Sequence, residues 1–232
     1  MSSSDNTRAL VTVAVPKGRL EGPTWTFLEE VGLADAQRRW PERSLVEVDD
    51  RLGVRQLLVR PSDVVTYVAE GAADIGVVGK DVILEADLPV YEVLDLGFGG
   101  CKLSVAAPRA SLAPGIGAEE FYRSRTPVLR VATKHPGVAD RHFGDRGIPV
   151  RSIPLRGSVE LAPLVGLADV ILDLVSTGKT LESNDMVLLE DVAEITARLI
   201  VNRVSMKVKP RIMELVGRVR GRNRAEGGDR FA

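Results

Sequence analysis

The 232-residue chain has one cysteine, Cys101, and two histidines, His135 and His142. A single thiol excludes an intrachain disulfide and any metal site built from several cysteines; a reducing compartment fits without being required. The histidines stand seven positions apart in "KHPGVADRHF", one face of a helical pattern, with no third ligand of suitable type nearby. They read as ordinary polar surface, not as a metal centre. Aromatic residues make up 4% of the chain, too few for a base-stacking nucleic-acid platform. A formal net charge of -1 supplies no general attraction to nucleic acid or to an anionic membrane. No apolar run approaches the roughly 20 residues of a membrane helix, and the one near the amino terminus falls short of a signal-peptide core of about seven to fifteen. The expected location is the cytoplasm. Neither a G-x-S-x-G elbow nor a Ser, His and Asp grouping arguable from spacing is present, which disfavours a hydrolase.

What is present is 44% hydrophobic and 27% charged, enough for a substantial core in one large domain or two small ones. Short apolar runs alternate with helical patterns, the grammar of an α/β fold with largely parallel sheets. "LVTVAVP" reads as the first strand, followed by a helix from about Leu20 to Val31 that turns Trp25, Phe27 and Leu28 inward, with Gly32 as its cap. In "RQLLVRPSDVVTYVAEGAADIGVVGKD", Pro61 opens a turn, Ser62 or Asp63 caps a helix, Gly71 ends it and Asp74 opens a strand. The same order recurs in "GSVELAPLVGLADVILDLVSTGKTL", where Ser158 is the expected cap and Pro163 limits the helix to about two turns.

This repeat implies two related α/β lobes. Gly97, Gly99 and Gly100 mark a first crossover, and the segment after Met186 returns as extended structure with a turn near Asn202 and a terminal helix. The expected division is residues 1–99 plus about 190–216 in lobe I and 100–189 in lobe II, with 217–232 as a disordered tail. Two crossovers leave a cleft between lobes, and ligands of such sheets sit beyond the carboxyl ends of strands. The polar turns Gly79-Lys80-Asp81 and Ser176 to Thr180 are expected to face it.

The second turn, Ser176-Thr177-Gly178-Lys179-Thr180, resembles the tail of a nucleotide-binding P-loop. That loop needs a glycine where this chain has Asp173, because successive backbone N–H groups must wrap a phosphate that a carboxylate would repel. Without the glycine, two readings stay open. Hydroxyls and backbone N–H groups at a strand-to-helix junction suit a phosphate monoester, while Asp173 accepts two hydrogen bonds from a vicinal diol, so that the pair describes a ribose 5-phosphate. An ordinary turn with Thr180 as N-cap uses the same residues. Glu160 either orients a sugar or a magnesium-bound group, or stabilises a first helical turn. Lys17 and Arg19 in "VPKGRL", and Arg60 before Pro61, are cations at strand ends that suit a polyphosphate or plain solvent equally. Asp74 and Asp169, taken alone, are turn residues.

Several stretches together resemble the ATP phosphoribosyltransferase family of histidine biosynthesis: "VAVPKGRL", "RPSDVVTYVAEGAADIGVVGKD", "DLGFGGCKLSVA", "RVATKHP", "GSVELAPLVGLADVILDLVSTGKTLES" and "ITARLIVNR". The resemblance implies two lobes of the type II-like periplasmic-binding-protein kind. It implies transfer of phosphoribosyl from phosphoribosyl pyrophosphate to N1 of ATP, with Mg2+ carried on the substrate's pyrophosphate. By the same resemblance Glu160, Asp173, Ser176, Thr177, Gly178, Lys179 and Thr180 hold phosphoribosyl pyrophosphate, and Lys17, Arg19, Arg60 and Asp74 serve ATP and pyrophosphate. Arg43, in "PERSLVEVDD", matches the family pattern only loosely. The short carboxyl end resembles a short-form subunit, a homodimer that assembles with a regulatory subunit similar to histidyl-tRNA synthetase. The competing expectation is a non-catalytic small-molecule-binding module on the same fold.

Overall fold

The computed structural model describes residues 10–35, 44–125 and 127–225. In chain order the first part runs β1 (Val11–Pro16), α1 (Glu21–Glu30), β2 (Val46–Asp49), β3 (Val54–Val59), α2 (Val64–Ala69), β4 (Ile75–Gly79), α3 (Lys80–Ala86) and β5 (Val90–Asp95). The middle part runs β6 (Cys101–Pro108), α4 (Ala118–Arg123), β7 (Leu129–Thr133), α5 (Pro136–Gly144), β8 (Val150–Pro154), α6 (Leu161–Leu164), β9 (Val170–Val175), α7 (Lys179–Ser183) and β10 (Met186–Ile195). The return comprises β11 (Ala197–Asn202), α8 (Ser205–Val208) and α9 (Pro210–Ala225). None of the described helices is long and apolar enough to cross a membrane. The chain divides into two compact units, Met1–Gly99 with Thr196–Ala232, and Gly100–Ile195.

The first unit is built on a six-stranded sheet in the order β2-β3-β1-β4-β11-β5. Every residue of β1 is buried, as a strand covered on both faces requires. Period-two alternation sorts its side chains: Val11, Val13 and Val15 pack with Phe27 and Leu28 of α1 and with Ile212, Leu215 and Val216 of α9. Ala14 faces the other way, against Val64, Val65 and Val68 of α2. That helix lies so close to the sheet that a Cβ on Gly76 would stand 2.7 Å from Val64 Cγ1.

The second unit has a five-stranded sheet, β10-β6-β9-β7-β8, in which β7 runs parallel to both β8 and β9, while β6 is antiparallel to β9 and to β10. The sheets are therefore mixed, not largely parallel. The strand that enters each sheet after a crossover, β6 in one and β11 in the other, runs against the βαβ core and pairs antiparallel on both sides, and β2 adds an antiparallel edge to the first sheet.

Both units carry one clamp at the amino end of a central strand. Asp74 N–H donates to Thr12 O while Thr12 N–H donates to Asp74 Oδ2; Asp169 N–H donates to Arg130 O while Arg130 N–H donates to Asp169 Oδ2. The glycine that ends the preceding helix has a positive φ each time, 76° at Gly71 and 73° at Gly166. The repeated grammar of the sequence is thus a repeated physical unit.

Four local expectations are corrected. The second boundary lies between Ile195 and Thr196, later than about 190, because β10 stays registered on β6 as far as Ile195 opposite Cys101. The tail expected to be disordered from 217 continues as α9 to Ala225, held by the buried Val219. Asp63 stands at the N-cap position of α2 without a side-chain capping bond, and Ser158 lies outside α6 at φ 47°. The histidines are not surface: His135 is buried at the start of α5, and His142 Nε2 lies 3.0 Å from Glu190 Oε1. Burial pushes the Glu190 carboxyl up, but hydrogen bonds from His142 and Arg146 outweigh it and hold the group below the usual range.

Candidate active site

Strand β9 carries apolar residues as far as Leu172 into the core of the second unit and then emerges. Leu103 and Leu172 close the buried layer, and the next residues, Asp173 to Val175, are only partly covered. The chain turns through Ser176-Thr177-Gly178 and enters α7 at Lys179. Gly178 makes that turn at φ 74°, a left-handed conformation costing a residue with a Cβ about 1 kcal/mol. Gly178 is the N-cap of α7, with no side-chain capping bond, so Thr180 is inside the helix and its hydroxyl is not spent on capping. The first N–H groups of the helix have no partner in the i to i−4 ladder and face the turn.

This turn borders a cavity of about 210 Å³. Glu160, Asp173, Ser176, Thr177, Gly178, Lys179 and Thr180 all line it, so every residue expected to hold the phosphoribosyl group meets at one place. Glu160 reaches it from the N-cap position of α6, within the β8 to β9 connection. Asp173 Oδ1 is buried and has no hydrogen-bond partner. Leaving a buried carboxylate oxygen unsatisfied costs on the order of 1–3 kcal/mol, a cost that a ligand hydroxyl would remove. A pocket with one orphaned acceptor, several hydroxyls and free helical N–H groups has the donor and acceptor set for a sugar diol joined to a phosphate.

In the first unit, Lys17, Arg19 and Arg60 are exposed at the carboxyl ends of β1 and β3, whose last residues, Pro16 and Val59, are register partners. Lys17 N–H donates to Val59 O at 2.9 Å, which fixes that edge. Asp74 is elsewhere, at the opposite end of the same sheet. Its Oδ2 accepts from Thr12 N–H and Lys209 Nζ, both at 2.8 Å, and its Oδ1 accepts from Ser205 Oγ at 2.5 Å. It is a buried carboxylate with both oxygens occupied, at the end of the sheet away from Lys17, Arg19 and Arg60, with which the resemblance groups it. Arg43 lies outside the described residues. In the turn Gly79-Lys80-Asp81, Lys80 is paired with Glu92, and Asp81 is buried so close to Gly79 that a Cβ there would stand 2.2 Å from its Oδ1.

The profile described as HisG: ATP phosphoribosyltransferase matches residues 60–221. Relatives named ATP phosphoribosyltransferase include one from Clostridioides difficile, 45% identical over 86% of this chain and 91% of its own, and one from Moorella thermoacetica, 44% identical over 96% and 97%. The chain belongs to the ATP phosphoribosyltransferase family. A solved structure, an ATP phosphoribosyl transferase (HisG:HisZ) complex from Thermotoga maritima, superposes with a TM-score of 0.73 at 33% identity, covering 90% of this chain and 100% of that one. A histidine kinase sensor domain similar to periplasmic binding proteins superposes at 0.53 with 13% identity, a likeness of fold alone.

Within this family frame, one pocket neighbour was not anticipated from the sequence. Lys134 follows β7 and its Nζ lies 3.6 Å from Asp173 Oδ2. The stretch "RVATKHP" contains the residue, but only the pairing of β7 with β9 shows what it stands beside.

Proposed function

We infer that this enzyme transfers the phosphoribosyl group of phosphoribosyl pyrophosphate to N1 of ATP, releasing pyrophosphate, the first step of histidine biosynthesis. The supporting observation is the unsatisfied Oδ1 of Asp173 in a pocket that the Ser176 to Thr180 turn shares. In this reading Asp173 accepts from the ribose hydroxyls, Ser176, Thr177 and Thr180 donate to the 5-phosphate with the N–H groups at the start of α7, and Glu160 orients the sugar. Lys179 stands at the rim as a point charge. Lys17, Arg19 and Arg60 are assigned to the nucleotide and the departing pyrophosphate.

The bond from the anomeric carbon to pyrophosphate breaks while one to N1 forms, through an oxocarbenium-like state. N1 already has a lone pair, so the residues' task is to position and to stabilise charge, with no general base demanded. Among the described residues no group of three or more His, Cys, Asp and Glu side chains could hold a metal ion, and the pocket itself offers two carboxylates, Glu160 and Asp173. That donor set fits an ion arriving on the substrate better than a protein cage, and we place Mg2+ on the pyrophosphate, where it offsets charge on the leaving group. We place the reaction in the cytoplasm and, as the family resemblance implies, the chain as a homodimer joined to a histidyl-tRNA-synthetase-like regulatory subunit; that the Thermotoga maritima structure is a HisG:HisZ complex supports a second kind of subunit. A non-catalytic binding module is the weaker reading, because the relatives sharing that role with this fold are similar at 13% identity only.

Thr177→Val and Asp173→Asn should each raise the KM for phosphoribosyl pyrophosphate about tenfold or more, with the KM for ATP changing by less than about twofold. Adduct formation followed by mass spectrometry measures both. Wild-type kinetics in the two variants would remove the pocket assignment.

A further inference from the structure

The pocket assigned to phosphoribosyl pyrophosphate is lined by two carboxylates, Glu160 and Asp173, against one ammonium, Lys179. A polyanion approaching walls of that balance meets repulsion beyond what Mg2+ on its pyrophosphate offsets near the ribose, and a cation beside the carboxylates lowers it. The fold puts one there. β7 and β9 run parallel with Thr133 opposite Leu172, which brings the next residues, Lys134 and Asp173, side by side where both strands leave the core. Lys134 Nζ lies 3.6 Å from Asp173 Oδ2, an ion pair in which the lysine side chain is 42% exposed and the aspartate 18%. The other oxygen of the same carboxylate is the buried one that has no partner.

We propose that Lys134 is a positioning residue for phosphoribosyl pyrophosphate. Its ammonium engages Oδ2, which restrains rotation of the carboxylate and keeps Oδ1 aimed into the cavity as the acceptor for a ribose hydroxyl. The same charge offsets the carboxylate that the incoming phosphates would otherwise face. This resolves how an aspartate is tolerated five positions before Gly178, in a turn that takes an anion. The proposal rests on the pocket assignment above. A half-exposed ion pair contributes little to folding, so the role is separable from stability.

The test compares wild type with Lys134→Met, Lys134→Arg, Asp173→Asn and the double variant Lys134→Met with Asp173→Asn, each assayed in complex with the regulatory subunit. Lys134→Met should raise the KM for phosphoribosyl pyrophosphate about tenfold while the KM for ATP and the melting temperature stay near wild type. Lys134→Arg, which keeps the charge, should recover most of that loss. Because Lys134 acts through Asp173, the double variant should be little worse than Asp173→Asn alone. Fully additive effects, no recovery with arginine, or a lowered melting temperature with equal loss for both substrates would overturn the positioning role. If Asp173→Asn raises the KM and Lys134→Met does not, the lysine proposal alone falls. If Asp173→Asn is itself silent, the pocket reading falls and the lysine role goes with it.

Discussion

Asp74→Asn separates a structural carboxylate from a substrate ligand, and its size follows from the bonds on the page. The side chain is 5% exposed and accepts three hydrogen bonds, one from the Lys209 ammonium, whose own side chain is 31% exposed. Asparagine keeps one acceptor oxygen, turns an NH2 toward donors and leaves Lys209 without its counter-charge. Charge-assisted bonds of this kind are worth about 1.5–3 kcal/mol each, and breaking a fully buried pair costs about 3–5. Lys209 can still reach water, which lowers the figure to about 3 kcal/mol for Asn. Alanine, which strands all three donors, should cost about 4. Urea unfolding followed by intrinsic tryptophan fluorescence reports on the first unit through Trp25, which packs against its core. The midpoint should fall, and the folded variant should retain wild-type KM for both substrates. A variant of unchanged stability with a KM for ATP raised tenfold would refute the reasoning and return Asp74 to the nucleotide side.

Arg130→Met tests the equivalent clamp in the second unit through pH. Burial pushes the Asp169 carboxyl up, but the guanidinium and the backbone N–H of Arg130 outweigh it and hold the group below its ordinary value. A depressed carboxyl contributes stability above its unfolded pKa, about 3.9, that is lost as pH falls through the folded value. The variant should therefore lose about 1.5 kcal/mol at pH 7, discounted because Arg130 is 38% exposed, and the gap from wild type should close below about pH 4 in urea titrations. An equal gap at both ends of the range would exclude Asp169 as its source. Gly76→Ala should cost about 1–3 kcal/mol, because the new methyl meets Val64 at 2.7 Å; shortening the neighbour with Val64→Ala in the same chain should recover part of it. Gly178→Ala has open space around its Cβ, so its cost is the φ of 74° alone, about 1 kcal/mol, which should lower the melting temperature by about 2–4 °C and, where the turn relaxes instead, raise the KM for phosphoribosyl pyrophosphate.

Much of the fold is legible because it rests on local periodicity. The wholly apolar "VTVAVP" can only be a strand covered on both faces, and Gly32, Gly71 and Gly166 mark helix ends through the positive φ each adopts. The Ser176 to Thr180 turn is legible for the same reason: its five residues are contiguous, so the cavity they line is written in one stretch. What local pattern misreads depends on distant partners. Asp74 and Asp169 open strands identically to Asp residues at any turn, and only Thr12, Ser205 and Lys209 in one unit and Arg130 in the other turn them into clamps. His142 carries no sign of Glu190, which lies 48 positions away on β10.

The sequence alone therefore determined the alternation of elements, the duplicated helix–glycine–aspartate–strand unit and the position of the Ser176 to Thr180 turn, because each is encoded within a few neighbouring side chains. Tertiary structure alone decided which carboxylate oxygen is free and which is satisfied. Asp173 and Asp74 are the same residue type where buried strands meet their loops, yet parallel pairing sets Lys134 on one oxygen of the first and leaves the other empty, while the second has its oxygens filled by Thr12, Ser205 and Lys209. A hydrogen bond depends on distance and direction, which the order of residues does not contain.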